Sequence, residues 1–174
     1  VNRGAFERIS PFTRDAIATV PSGDAADAEA LAEAAWAARK GWARTPMPER
    51  IQALHRAAGI IEAHAEELAF LDAIDAGSTI ENARMDIRLA LGHIRLFAGL
   101  AMELKGATIP ASRGLHLTVR EPVGVVLRIV PFNHPFMFAA KVFTAIVAGC
   151  PAILKAPEVA PLSALRMGEL LQEA

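Results

Sequence analysis

Three polar side chains at the ends of two short apolar runs are the residues of this sequence best suited to chemistry. Asn133 lies in the turn Pro131-Phe132-Asn133-His134-Pro135, directly after the branched run at residues 123–130. A side-chain amide offers two donors. Held at the C-terminal end of a strand, it faces the crevice where open α/β sheets bind ligands. There it suits stabilisation of an oxyanion forming at a carbonyl under nucleophilic attack, an effect worth about 3 kcal/mol in comparable sites. As a residue type alone, Asn133 suits a helix cap ahead of Pro135 better. Lys155 and Glu158 follow the second apolar run. The lysine is able to donate to ribose hydroxyls or attract phosphate, and the glutamate to accept from ribose hydroxyls. Without further context the same two residues read as an exposed ion pair flanking a Pro-rich loop.

Other reactive residue types carry less. Lys141 falls within an apolar stretch and suits a lysine whose stem is buried and whose head reaches water or a partner. Cys150, the only cysteine, precedes Pro151 in a turn and reads as a small, buried, inert thiol. His55, His64, His93, His116 and His134 are scattered. With no His pair at ligand spacing and no Cys cluster, no metal site is expected. His134 reads as part of a turn lining and not as a base.

These residues need elements to hold them. Pro21-Ser22-Gly23-Asp24 is a turn and cap, and an alanine-rich helix follows from residue 25 to Trp42, with Leu31, Ala35, Trp36 and Ala38 near one face. A second helix starts at Pro48, a residue tolerated in the first turn. Its stripe of Ile51, Leu54, Ala58, Ile61, Ala65 and Leu68 has helical spacing and runs to Gly77-Ser78. A third helical pattern covers residues 79–105, apolar on nearly all sides in its later half and so central to the packing. The first hundred residues thus read as helical. After Gly106 the period changes. Residues 108–110 and 115–120 suit a hairpin arm. Residues 123–130 suit a strand buried on both faces, with Arg128 in need of a partner. Residues 136–148 read as a helix stopped by Gly149, residues 152–155 as a strand, and residues 161–174 as a further helix. Strand, helix, strand, helix implies a parallel sheet with right-handed crossovers.

The composition excludes several classes. In 174 residues, 53% are hydrophobic and 21% charged, with a formal net charge of -1. This is globular, and no basic excess points to nucleic acid or an anionic membrane surface. The most apolar stretches, 89–104 and 135–149, carry His93, Arg95, Glu103 and Lys141 and fall short of the roughly 20 apolar residues that span a membrane. The N-terminus has no apolar core of a secretory signal. One cysteine permits no internal disulfide, so a reducing, cytoplasmic home is expected.

The block from Arg120 to Glu158 resembles the aldehyde dehydrogenase superfamily. Arg120-Glu121-Pro122-Val123-Gly124-Val125-Val126 is similar to that family's strand entry, and Ile129-Val130-Pro131-Phe132-Asn133 to its Pro-Trp-Asn segment, with Phe132 in place of Trp. Ala148-Gly149-Cys150 resembles its Ala-Gly-Asn turn. Ile153-Leu154-Lys155-Ala156-Pro157-Glu158, then Pro161-Leu162-Ser163-Ala164, resembles its Leu-Lys-Pro-Ser-Glu-x-x-Pro-x-Ser. Upstream, the alanine-rich helix ending in Trp42 and Glu66-Glu67-Leu68-Ala69 are weaker matches. Gly77-Ser78-Thr79 stands where a Gly-Lys pair is common, and Leu127-Arg128 is bulkier and more basic than usual.

The resemblance implies an α/β fold: a helical part at 1–105, a β arm of the oligomerisation type at 106–121, and a partial parallel βαβα Rossmann-like unit at 122–174, incomplete at its C-terminus. It implies that Asn133 serves the oxyanion and that Ile129, Val130, Pro131, Phe132, Lys155, Ala156, Pro157 and Glu158 bind the cofactor. Lys141 matches a position where the family often carries lysine near its active site. The cofactor implied is NAD, with NADP admissible, because Glu158 would repel a 2′-phosphate; the family does not use G-x-G-x-x-G. The implied reaction is oxidation of an aldehyde to a carboxylic acid by a homo-oligomer, dimer or tetramer. The family's nucleophilic cysteine and general-base glutamate lie beyond Ala174, so the chain reads as a fragment and is expected to be inactive alone. Two other readings stay open: a non-catalytic packing or nucleotide-binding module, and an acylating, coenzyme-A-dependent dehydrogenase or a reductase of acyl phosphates.

Overall fold

The computed structural model describes residues 4–173; the expectations for residues 1–3 and for residue 174 lie outside it. The chain opens with strands where the sequence reads as helical. β1 (Ala5–Ile9) pairs antiparallel with β2 (Ala16–Pro21), Phe6 opposite Val20. The period-2 pattern is faint because an apolar Ile9 is exposed, Ile17 and Ala18 are both half-buried, and Val20 alone of β2 is buried.

α1 (Ala25–Arg44) begins as expected, with Asp24 and Asp27 forming a reciprocal capping box. Its expected apolar face is not buried: Leu31 and Trp36 are 55% and 56% exposed. The helix is held instead by Trp42, whose indole N–H donates to the Ile146 carbonyl at 2.8 Å. The second helical stripe divides into α2 (Met47–Ala63) and α3 (Ala65–Ala76). At the junction His64 has φ -109° and ψ 18°. Its ring Nδ1 and its backbone N–H both approach the Ile60 carbonyl, so the side chain competes with the helix ladder. Leu54, Ala58, Ile61 and Leu68 of the stripe are buried all the same. Gly77, at φ 76°, ends α3 in the left-handed conformation. Thr79 caps α4 (Ile80–Leu100), accepting from the Asn82 N–H at 3.3 Å.

The two-residue strands β3 (Thr108–Ile109) and β4 (His116–Leu117) make the expected antiparallel arm, exposed throughout. β5 (Val126–Ile129), α5 (Pro135–Ala140), α6 (Phe143–Val147), β6 (Ala152–Lys155) and α7 (Leu162–Leu170) follow. β5 and β6 are parallel, with Val126 opposite Ala152 and Ile129 opposite Lys155. This is the mixed α/β fold expected, a helical first half followed by a partial Rossmann-like unit. Three expectations need correction. The strand spans 126–129 and not 123–130. It is covered on one face only, Leu127 and Ile129 being 58% and 66% exposed, because no described element lies over them. The single helix at 136–148 is two, since three-residue hydrogen bonds from Val142 to Ala139 and from Thr144 to Lys141 tighten the chain between α5 and α6.

α4 runs through the middle of the helical layer, packing against α2, α3, α5 and α6. Leu54, Ile61, Leu68, Ile87, Ile94, Phe136 and Met167 are the fully buried large side chains where those helices and α7 meet. One face of α4 stays open, with Met85, Leu89, Leu96 and Leu100 about half exposed.

Candidate functional site

The parallel register decides which loops meet. β5 and β6 end level, at Ile129 and Lys155, and the Val130 N–H donates to the Lys155 carbonyl at 3.1 Å. The loop at 131–134 and the loop at 156–161 therefore leave the same edge of the sheet. Ile129, Val130, Lys155 and Ala156 come together at that edge through the pairing itself. Pro131, Phe132 and Asn133 follow as an exposed turn, Phe132 being 62% exposed. Pro157 is buried and Glu158 exposed.

Asn133 does not cap the following helix. His134 occupies the N-cap position of α5, and no side chain of that segment caps it. Pro135 has no N–H to satisfy, and the Phe136 N–H is taken by the Asp72 carboxylate of α3 at 3.3 Å. The Asn133 amide makes no hydrogen bond among the described residues and faces solvent. Lys155 and Glu158 are also exposed and without hydrogen-bond or ion-pair partners among the described residues; they do not pair with each other.

Three carboxylates that the sequence reading passed over hold both loops. Asp72 also accepts the Ser163 hydroxyl of α7. Asp75 accepts the Leu162 N–H at 2.9 Å and the Arg8 guanidinium at 2.7 Å. Arg8 reaches on to the Val159 carbonyl, so the β1–β2 hairpin tethers the 156–161 loop. Asp86 of α4 lies 2.7 Å from Nδ1 of His134. Asp72 and Asp75 are 2% and 3% exposed, and burial pushes the Asp72 carboxyl up to about 6, against the Ser163 and Phe136 hydrogen bonds that lower it. The signal available in sequence was an acid at a core position. Asp72 continues the Leu68 stripe, and Asp86 sits between the buried Ala83 and Ile87.

Lys141 and Cys150 lie elsewhere. They line a cavity of about 550 Å³ with Arg50, Arg120, Arg128 and Met47, and none of the residues expected to bind cofactor or oxyanion borders it. Lys141 Nζ sits 4.4 Å from the Phe138 ring centre, and Arg128 finds its partner in the Phe138 carbonyl at 3.2 Å. The Cys150 thiol is free and 3% exposed. No group of three His, Cys, Asp or Glu side chains among the described residues is placed to hold a metal, and no described helix is long and apolar enough to cross a membrane.

The profile of the aldehyde dehydrogenase family matches residues 1–174. Aldehyde dehydrogenase tropH of Talaromyces stipitatus is 40% identical over 95% of this chain and 33% of its own length. Phenylacetaldehyde dehydrogenase of Pseudomonas fluorescens is 37% identical over 95% of this chain and 35% of its own. Among solved structures, PnpE in complex with nicotinamide adenine dinucleotide superposes with a TM-score of 0.93 at 35% identity, over 98% of this chain and 36% of PnpE. A salicylaldehyde dehydrogenase from Pseudomonas putida G7, complexed with salicylaldehyde, gives 0.94 at 28% identity, over 98% of this chain and 36% of its own. The chain thus spans about a third of the length of the relatives it matches. With the level strand ends, the shared segments and this agreement in fold, the chain belongs to the aldehyde dehydrogenase family of oxidoreductases, as an N-terminal portion of it.

Proposed function

We propose that this chain is the cofactor-binding portion of an NAD(P)-dependent aldehyde dehydrogenase that oxidises an aldehyde to a carboxylic acid. The observation that carries the reading is the free amide of Asn133. The fold draws the cap of α5 from Asp72 and leaves Asn133 exposed and unbonded at the C-terminal edge of the sheet. In this reading Asn133 donates to the oxygen of the aldehyde as a nucleophile adds to its carbonyl carbon, where a placed donor is worth about 3 kcal/mol.

The same edge suits a dinucleotide. Lys155 and Glu158 have hydrogen-bonding capacity that no described residue uses, which fits donation to and acceptance from ribose hydroxyls. Ile129 and Phe132, 66% and 62% exposed, offer apolar surface beside them, and Val130, Pro131, Ala156 and Pro157 complete the two loops. When bound, the nicotinamide would accept hydride. A carboxylate at Glu158 favours NAD over NADP by repelling a 2′-phosphate. The relatives support both: PnpE was solved with NAD, and a glyceraldehyde-3-phosphate dehydrogenase from Methanocaldococcus jannaschii with NADP.

Cys150 is not the nucleophile in this reading, since the buried thiol lies away from Asn133. The 174-residue chain alone is accordingly expected to be inactive. In the complete protein, residues 1–105, 106–121 and 122–174 act as helical part, oligomerisation arm and cofactor unit. The arm offers exposed Leu115, Leu117 and Val119 to a second subunit of a dimer or tetramer. Calorimetry with NAD tests the reading: binding to the 174-residue chain that weakens about tenfold when Lys155→Ala and Glu158→Ala are combined is expected. No binding at millimolar NAD, or NADH production from an aldehyde by this chain alone, overturns it.

A further inference from the structure

If Asn133 serves an oxyanion, as in the reading above on which this inference rests, its turn must be held still. Its own side chain is tied to nothing described, and Pro131 and Phe132 before it are exposed. Upstream, the strand pairing pins the chain at Val130 through the Lys155 carbonyl. Downstream, the Phe136 N–H is fixed by Asp72, and the residue directly after Asn133, His134, is fixed through three contacts. Its carbonyl accepts the Phe138 N–H at 3.0 Å. Its ring lies edge-on to Phe138 with centroids 6.1 Å apart. Nδ1 lies 2.7 Å from Asp86 Oδ2, and the Asp86 side chain is only 11% exposed. A carboxylate accepts and does not donate, so Nδ1 carries the proton and the tautomer is set.

We propose that Asp86 and His134 form a positioning pair that fixes the turn carrying Asn133 for oxyanion stabilisation. Asp86 stands on α4, between Ala83 and Ile87, which are each 1% exposed, in the helix that packs against α2, α3, α5 and α6. The pair transmits that rigidity to the residue next to Asn133. Such an anchor acts by geometry, and a misplacement of about 1 Å costs up to ~100-fold in rate. The pair does not supply the cap of α5, which comes from Asp72; its contribution is to the turn.

The test is a double-mutant cycle in the complete dehydrogenase. Asp86→Ala should lower kcat about tenfold or more, with a smaller change in KM for NAD, because Lys155 and Glu158 lie on the other loop. Asp86→Asn, whose amide oxygen accepts the same Nδ1–H, should retain kcat within about threefold. In an Asn133→Ala background, Asp86→Ala should have no further effect on kcat, because both act through one donor. Full kcat in Asn133→Ala alone defeats the oxyanion reading. A large loss in Asn133→Ala with an additive loss from Asp86→Ala defeats the positioning pair and spares that reading. In the 174-residue chain itself, Asp86→Ala should speed amide exchange at Phe138, whose N–H donates to the His134 carbonyl, about tenfold or more while Leu54 and Ile61 stay protected. Unchanged exchange at Phe138 overturns the proposal.

Discussion

Asp72→Asn should make the protein more stable at neutral pH relative to acid, although it removes a carboxylate that accepts two hydrogen bonds. The Asp72 carboxyl rises from 3.8 to about 6, with burial the largest cause and Asp86 and Asp75 nearby adding to it. The folded chain therefore holds its proton more tightly than the unfolded chain. The stability from this group is fully present below about pH 3.8 and is lost as pH rises through about 6. At about 1.4 kcal/mol per pH unit of difference, the loss is about 3 kcal/mol. The substitution deletes this titration and keeps the bonds, since the asparagine oxygen can accept the Phe136 N–H while its NH2 donates to the Ser163 hydroxyl. Urea unfolding of both proteins at pH 4, 5, 6 and 7.5 gives the difference between them, in which titrating groups remote from Asp72 cancel. The variant should gain about 2 kcal/mol of that on wild type from pH 4 to pH 7.5, since at pH 4 the unfolded carboxyl is already partly ionised. A difference flat with pH, or one in which wild type gains as pH rises, would refute the reasoning.

Other perturbations probe the scaffold. Gly149 sits at φ 90°, and a Cβ there would run into the Arg50 guanidinium and Pro122. Gly149→Ala should cost about 2 kcal/mol or more, read as a drop in melting temperature and in the yield of folded chain. Trp42→Phe keeps an aromatic ring but removes the pyrrole half of the indole and with it the 2.8 Å bond to the Ile146 carbonyl. It should cost about 1 kcal/mol by chemical denaturation, and an unchanged midpoint would show that α1 is held otherwise.

The candidate site was legible where its residues are local in the chain. The alternation of apolar runs with turns between Arg120 and Glu158 announced two parallel strands. Because parallel strands joined by a helix end on the same edge, Asn133 and Lys155 had to emerge together. Asp24, Thr79 and the left-handed Gly77 and Gly149 could be read for the same reason, since caps and stops are made by residues a few positions away. The helical reading failed at β1 and β2, where Ile9 is exposed and Val20 alone of β2 is buried, and at His64 and Lys141, where local hydrogen bonds break a stripe whose periodicity continues.

By itself, then, the sequence determined the alternation of strand and helix after Pro122, the family, and the residue types available at the sheet edge. The tertiary structure decided which of those residues are free to act. Whether Asn133 caps a helix or faces solvent depends on Asp72, which lies 64 residues before the Phe136 amide it satisfies. Contacts of that span, with Asp75 to Leu162 and Asp86 to His134, leave no periodic trace, because a buried carboxylate is tolerated only where distant donors converge on it.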